Sequence, residues 1–133
     1  RVPVASAVSL RNIGLGTNKG ADGTSHLLAT VYADTSHLNM GRLDLTGVSR
    51  VTFELFSPAN YPFTIELRDG SPTGRVLGSA DVRPAATEQW YTQSVPVSAS
   101  GERALYVVIR TAQQGIGQFN HLVTIDGVRF ERP

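Results

Sequence analysis

Aromatic rings beside hydrogen-bonding tips are the residues of this sequence best suited to chemistry. Trp90-Tyr91 opens an alternating stretch, Tyr32 follows Thr30-Val31, and Asn120-His121 closes the glycine-rich run Gly115-Ile116-Gly117-Gln118-Phe119-Asn120-His121. Rings of this kind stack on the apolar C–H face of a pyranose, while neighbouring polar tips bond its hydroxyls. Tyr32, His37, Asn39, Asn120 and His121 each carry a tip that donates or accepts, and all are placed at loops or strand ends, where binding residues concentrate. The bland alternative for each, taken singly, is a solvated surface residue. Trp90 and Tyr91 are strand neighbours, so they point to opposite faces and only one can enter the core. Either Trp90 is exposed for a ligand, or Trp90 is core and Tyr91 is a surface cross-strand packer.

Other chemistries find less support. The three histidines do not pair at the spacing of a metal motif. Ser25-His26 and Ser36-His37 lie near Asp34, but strand neighbours face apart and no Gly-x-Ser-x-Gly is present. Glu54 and Glu66 would make a glycosidase pair only as facing carboxyl groups about 5 to 10 Å apart in a cleft; both read as solvated. Gly14, Gly16 and Gly20 have no βαβ unit after them to present phosphate with a helix N-terminus, and read as loop glycines.

These residues need a frame. The 133 residues, 41% hydrophobic and 17% charged, describe a single folded domain over 1–133. A net charge of +1 from scattered residues argues against a nucleic-acid partner. No apolar run approaches the roughly 20 residues that span a bilayer, so no membrane partner is expected. There is no cysteine for a disulfide or thiolate site. The start Arg1-Val2-Pro3-Val4, without Met, suggests a processed protein or a piece of a larger one.

Short runs of β-formers recur between turn residues and no helical period is sustained, which predicts an all-β fold. Strands are predicted at 4–13, 26–32, 38–43, 51–57, 63–68, 76–82, 91–97, 104–111 and 123–131. Nine strands of this length predict a two-sheet antiparallel β-sandwich. Alternation in Val51-Thr52-Phe53-Glu54-Leu55-Phe56 turns Val51, Phe53 and Leu55 inward and leaves Thr52 and Glu54 to water or a ligand. The continuous run Leu105-Tyr106-Val107-Val108-Ile109 predicts a strand covered on both faces. Asp69-Gly70-Ser71-Pro72-Thr73-Gly74 predicts a hairpin between its flanking strands, and Gly127 inside the last strand predicts a bulge.

The stretches Leu43-Asp44-Leu45-Thr46-Gly47-Val48, Phe63–Gly74 and Val76-Leu77-Gly78 resemble the core signature of family 6 carbohydrate-binding modules. Gln89–Val97 is similar to that family's tryptophan-bearing strand, and Leu105–Arg110 with Thr124–Phe130 to its two closing strands. The resemblance implies a jelly roll, secreted or periplasmic, that binds a polysaccharide or oligosaccharide without catalysis and is covalently attached to an enzyme domain. It implies a ligand site at loops along one edge of the sandwich, where aromatic rings hold a pyranose and an asparagine fixes its hydroxyls. The candidate ligand residues are Trp90, Tyr91, Asn120, His121, Tyr32, His37 and Asn39. The chain departs from the family pattern in carrying Met40 where a platform tyrosine is often found, and Thr124 where the family has the asparagine. A structural calcium is also implied, with Asp126 as its candidate ligand, although the family's first-strand glutamates have no counterpart because the first acidic residue is Asp22. Two further readings stay open: an interdomain or protein-interaction jelly roll that no longer binds sugar, marked by an exposed apolar patch, and an independent glycosidase.

Overall fold

A computed structural model describes residues 1–117 and 120–132. The strands are β1 (Val2–Pro3), β2 (Ser9–Arg11), β3 (Ile13–Lys19), β4 (Ser25–Val31), β5 (Thr35–Asp44), β6 (Arg50–Phe56), β7 (Phe63–Asp69), β8 (Val76–Val82), β9 (Trp90–Pro96), β10 (Glu102–Arg110) and β11 (Val123–Glu131), with one 3-10 turn at Val4–Ser6. They form two antiparallel sheets. The first runs β3-β4-β11-β6-β9, with β1 also paired to β11; the second runs β2-β5-β10-β7-β8. The all-β, two-sheet sandwich predicted from the sequence is the fold found. Among the described residues no helix is long and apolar enough to cross a membrane.

Alternation builds the core between the sheets. Val51, Phe53 and Leu55 of β6 are fully buried and meet Ile65 and Leu67 of β7, Val107 and Ile109 of β10, and Ile125 of β11 in one apolar cluster. The hairpin joining β7 to β8 forms where its turn residues predicted it. The last strand is bulged between Ile125 and Val128, as Gly127 predicted.

Three expectations are corrected. The single strand predicted over 4–13 is three elements: the 3-10 turn, then β2 in the second sheet, then β3 in the first. Asn12, at φ 59°, makes the crossover. Asparagine tolerates this left-handed conformation, and its side-chain amide holds the corner by donating to the carbonyl of Thr35 at 3.0 Å. Gly14 and Gly16 are strand residues of β3 rather than loop glycines. Thr52 and Glu54 face outward from the first sheet yet are buried. The Thr52 hydroxyl is paired with that of Ser94, and Glu54 lies under arginine side chains. Glu66 is on the outward face of the second sheet, where Arg68 and Arg110 bind it. The whole sandwich separates it from Glu54, so the two carboxylates cannot act on one bond.

Candidate functional site

Three segments distant in sequence bring their ends together on the outward face of the first sheet. The pairing Phe56 with Trp90 on β6 and β9, and Thr124 with Phe56 on β11 and β6, places the start of β9, the end of β6 and the start of β11 side by side. Val123 pairs with Val31, which brings the end of β4, and hence Tyr32, to the same margin. Residues directly opposite across a ladder share a face. Trp90, Phe56 and Thr124 therefore all face outward, and Trp90 rests against Phe56 with ring centroids 5.5 Å apart.

The result is a depression in two joined parts. One hollow of about 270 Å³ is lined by Trp90, Phe56, Leu28, Asn18, Lys19, His121 and Thr124. The other, of about 290 Å³, shares Asn18, Leu28, His121 and Thr124 and is bounded by Tyr32. Tyr32 is 53% exposed, the most accessible ring among the large apolar side chains of the described residues. It meets His121 edge-on at 6.4 Å. Asn120 is exposed beside it.

Small residues hold Tyr32 in place. Its Cε2 atom would lie 3.1 Å from a Cβ added at Gly14, so the ring covers that strand glycine. Gly117, at φ +90°, packs its backbone on the Tyr32 carbonyl, where an added Cβ would come within 2.6 Å of the oxygen. Only glycine takes that conformation at no steric cost and also allows the approach. The Gly117 N–H donates to the Asn120 carbonyl at 2.9 Å, tying the loop's arms together. Gln118 and Phe119, which the sequence reading included in this loop wall, lie outside the described residues.

His121 Nε2 and the Thr124 hydroxyl share a hydrogen bond of 2.8 Å. Burial holds the His121 pKa below its ordinary value, so the ring is a neutral donor and acceptor at neutral pH. His37, on the other sheet, is lowered by burial and by the charge of Arg11. A histidine whose folded pKa is depressed costs stability as pH falls from the unfolded value through the folded one, because the unfolded chain binds the proton more readily. The melting temperature is expected to fall between about pH 7 and about pH 5 by a part that the double variant His37→Gln, His121→Gln removes. Thermal melts at the two pH values check this; identical slopes for wild type and variant would contradict it. The loss attached to Glu131, whose pKa the bond from Arg50 lowers, belongs to more acid conditions, below the ordinary carboxylate value.

Of the residues singled out by sequence, Trp90, Tyr32 and His121 converge, with Asn120 adjoining. Tyr91, His37 and Asn39 do not. Tyr91 faces the core, where its hydroxyl and that of Ser57 share a bond of 2.7 Å. His37 and Asn39 lie on β5 of the opposite sheet, packed against Tyr106. The alternation of β5 carries Ser36, Leu38 and Met40 inward and so turns these two outward on the wrong side of the molecule. Met40 is itself a core residue and lines neither hollow, where the ring facing His121 is Tyr32. Sequence reasoning missed Phe56, Leu28, Asn18 and Thr124 as lining. The signal available for them was the register of β4, β6 and β11, which a single sequence does not print.

Asp126 lies at the bulge of β11 with its side chain fully enclosed. Its Oδ1 accepts from Arg1 Nη2 at 3.0 Å and is 2.6 Å from His26 Nε2; its Oδ2 accepts the Ala21 N–H at 2.8 Å. Calcium takes six to eight oxygens, and a carboxylate ringed by nitrogen donors does not fit it. Among the described residues no three histidine, aspartate or glutamate side chains converge as a metal-binding group.

Solved structures share this fold. The chain matches a β-1,3-glucan-binding family 6 carbohydrate-binding module from Bacillus halodurans with TM-score 0.81 and 20% identity, over 98% of this chain and 93% of that one. It matches a family 6 module from Clostridium cellulolyticum, in complex with xylose, with TM-score 0.79 and 17% identity, over 98% and 95%. It also matches part of a glycoside hydrolase family 43 arabinoxylan arabinofuranohydrolase from Bacillus subtilis, in complex with cellotetraose, with TM-score 0.69 and 18% identity, over 90% of this chain and 24% of the enzyme. No protein-family model and no curated protein matches the chain. The fold is thus the jelly roll of family 6 carbohydrate-binding modules, as the resemblance implied.

Proposed function

We propose that this domain is a carbohydrate-recognition module that seats a pyranose in the depression between Trp90 and Tyr32 and performs no catalysis. The observation that carries the reading is the pair of accessible rings on either side of Asn18, His121 and Thr124, whose polar tips stand in the hollow between them. Sugar sites need this combination, because an apolar ring face stacks on C–H groups while directional partners select the hydroxyls. Asn120, exposed at the rim, is the candidate amide for a ring hydroxyl. Polysaccharide is the partner, and the module works in a secreted or periplasmic protein, covalently attached to an enzyme domain. Tethering raises the enzyme's effective concentration on its substrate, and the match to one quarter of a hydrolase supports that arrangement.

An interaction element would instead require a contiguous apolar patch. Among the described residues, the exposed apolar side chains outside the hollow are Val8, Val76 and the diagonal neighbours Leu15 and Leu27 on β3 and β4, a pair too small to make such a patch. Calorimetric titration of the wild type with β-1,3-glucan and xylan oligosaccharides tests the proposal. Saturable binding of one of them is expected; a folded protein that binds neither these nor a wider glycan panel would overturn it in favour of the interaction element.

A further inference from the structure

The enclosed carboxylate of Asp126 has a neighbour. Glu54, on the adjacent strand β6 and 7% exposed, turns its Oε1 toward the same guanidinium: Arg1 Nε donates to it at 2.9 Å and Arg1 Nη2 at 2.6 Å. Arg1 Nη2 is therefore shared by both acids. Two carboxylates brought together on one buried patch repel each other unless a cation lies between them. Arginine supplies a permanent one, with a planar fork that reaches two acceptors.

The backbone is shaped for this side chain. An added Cβ at Gly127 would stand 2.5 Å from Arg1 Nε and Nη2, so the guanidinium lies directly on the bulge glycine. An added Cβ at Gly20 would overlap both the His26 ring and Asp126 Oδ2. Neither glycine is at positive φ. Their lack of a side chain is required by these contacts. Pairing of Val2 with Val128 and Pro3 with Gly127 fixes the direction from which Arg1 arrives.

We infer that the Arg1 guanidinium occupies the place that a structural calcium would take between Glu54 and Asp126, so that this fold is stabilised by its own tethered cation and is closed to the metal. The inference stands on this ion cluster and does not depend on what the cleft binds. The positions around Asp126 that would complete an oxygen cage are held by nitrogen donors of Arg1, His26 and the Ala21 backbone.

Thermal melts and calcium titration calorimetry on the wild type, Arg1→Ala and Gly127→Ala test it. The wild type is expected to melt at one temperature in chelator and in millimolar calcium and to give no binding heat. Arg1→Ala is expected to melt lower by about 5 °C, as for removal of a part-exposed cation that leaves two buried acids without their shared partner, and calcium is expected to raise its melting temperature by pairing with those acids. Gly127→Ala is expected to melt lower than the wild type, since it displaces the guanidinium without changing any charge. Stoichiometric calcium uptake by the wild type would overturn the inference. So would an Arg1→Ala or a Gly127→Ala protein that melts like the wild type, or an Arg1→Ala protein that melts low and gains nothing from calcium, which would reduce Arg1 to an ordinary salt bridge.

Discussion

Trp90→Ala is expected to weaken glycan binding by at least roughly 30-fold, the equivalent of about 2 kcal/mol for a central aromatic anchor, while leaving the protein folded. Both halves follow from its position at the head of β9. Its ring is directed outward, away from the core, and forms one side of the hollow; its main apolar neighbour is Phe56, itself only partly buried. Truncation removes the stacking surface and leaves a wider, wetter depression. The core keeps every side chain, because the inward residue at this point of the strand is Tyr91. Calorimetric titration alongside thermal melts checks the prediction. A folded Trp90→Ala protein with unchanged affinity would move the site away from this face.

Phe53→Ala is expected to do the reverse. Phe53 belongs to the neighbouring strand of the same sheet but points inward, fully buried and among the largest such side chains in the molecule. It is paired across the ladder with Gln93 on one side and Val128 on the other. Close-packed surroundings held on two strands relax little when a ring is removed, so a cavity adds to the lost transfer energy. The cost for Phe→Ala in a core is about 3 to 5 kcal/mol, set against a total of roughly 5 to 15 kcal/mol for a domain. The denaturant midpoint should drop accordingly, while the protein that remains folded binds glycan with nearly wild-type affinity. Equilibrium unfolding in urea and titration of the folded variant are the measurements. A loss below about 1 kcal/mol would mean that the core is less tightly packed than its burial indicates. Together the two substitutions separate the faces of one sheet: binding is lost without stability in the first, and stability without binding in the second.

The legible part of the fold was the part governed by period and turn chemistry. Val51, Phe53 and Leu55 were assigned inward from alternation alone. The hairpin between β7 and β8 was readable because Asp69–Gly74 concentrates residues that tolerate turn backbones. The corner at Asn12 was not readable, because a run of β-formers continues through it. The change of sheet there is visible only in the left-handed backbone of one residue and its bond to Thr35.

Of the candidate site, residue types were legible and their grouping was not. Tyr32, His37 and Asn39 have the same kinds of polar tip in one short span, yet Tyr32 directly follows β4 of the first sheet and the other two lie in β5 of the second. Alternation says that a residue faces outward; it does not say from which sheet. Asp126 shows the same limit, since its partner Arg1 is 125 positions away in sequence, and the pairing of β1 with β11 that joins them is non-local.

By itself the sequence determined the class of the fold: a β-sandwich with an alternating core, turns at glycine and aspartate, and a few aromatic rings and amides beside its loops. These follow from local backbone preference and from the two-residue period that sorts side chains into faces. Only the tertiary structure decided that Trp90, Tyr32 and His121 share a hollow, that Tyr91, His37 and Asn39 lie outside it, and that Asp126 is claimed by an arginine. Those outcomes depend on strand order and register, which are set when long-range ladders close and two sheets bury their inner faces against each other.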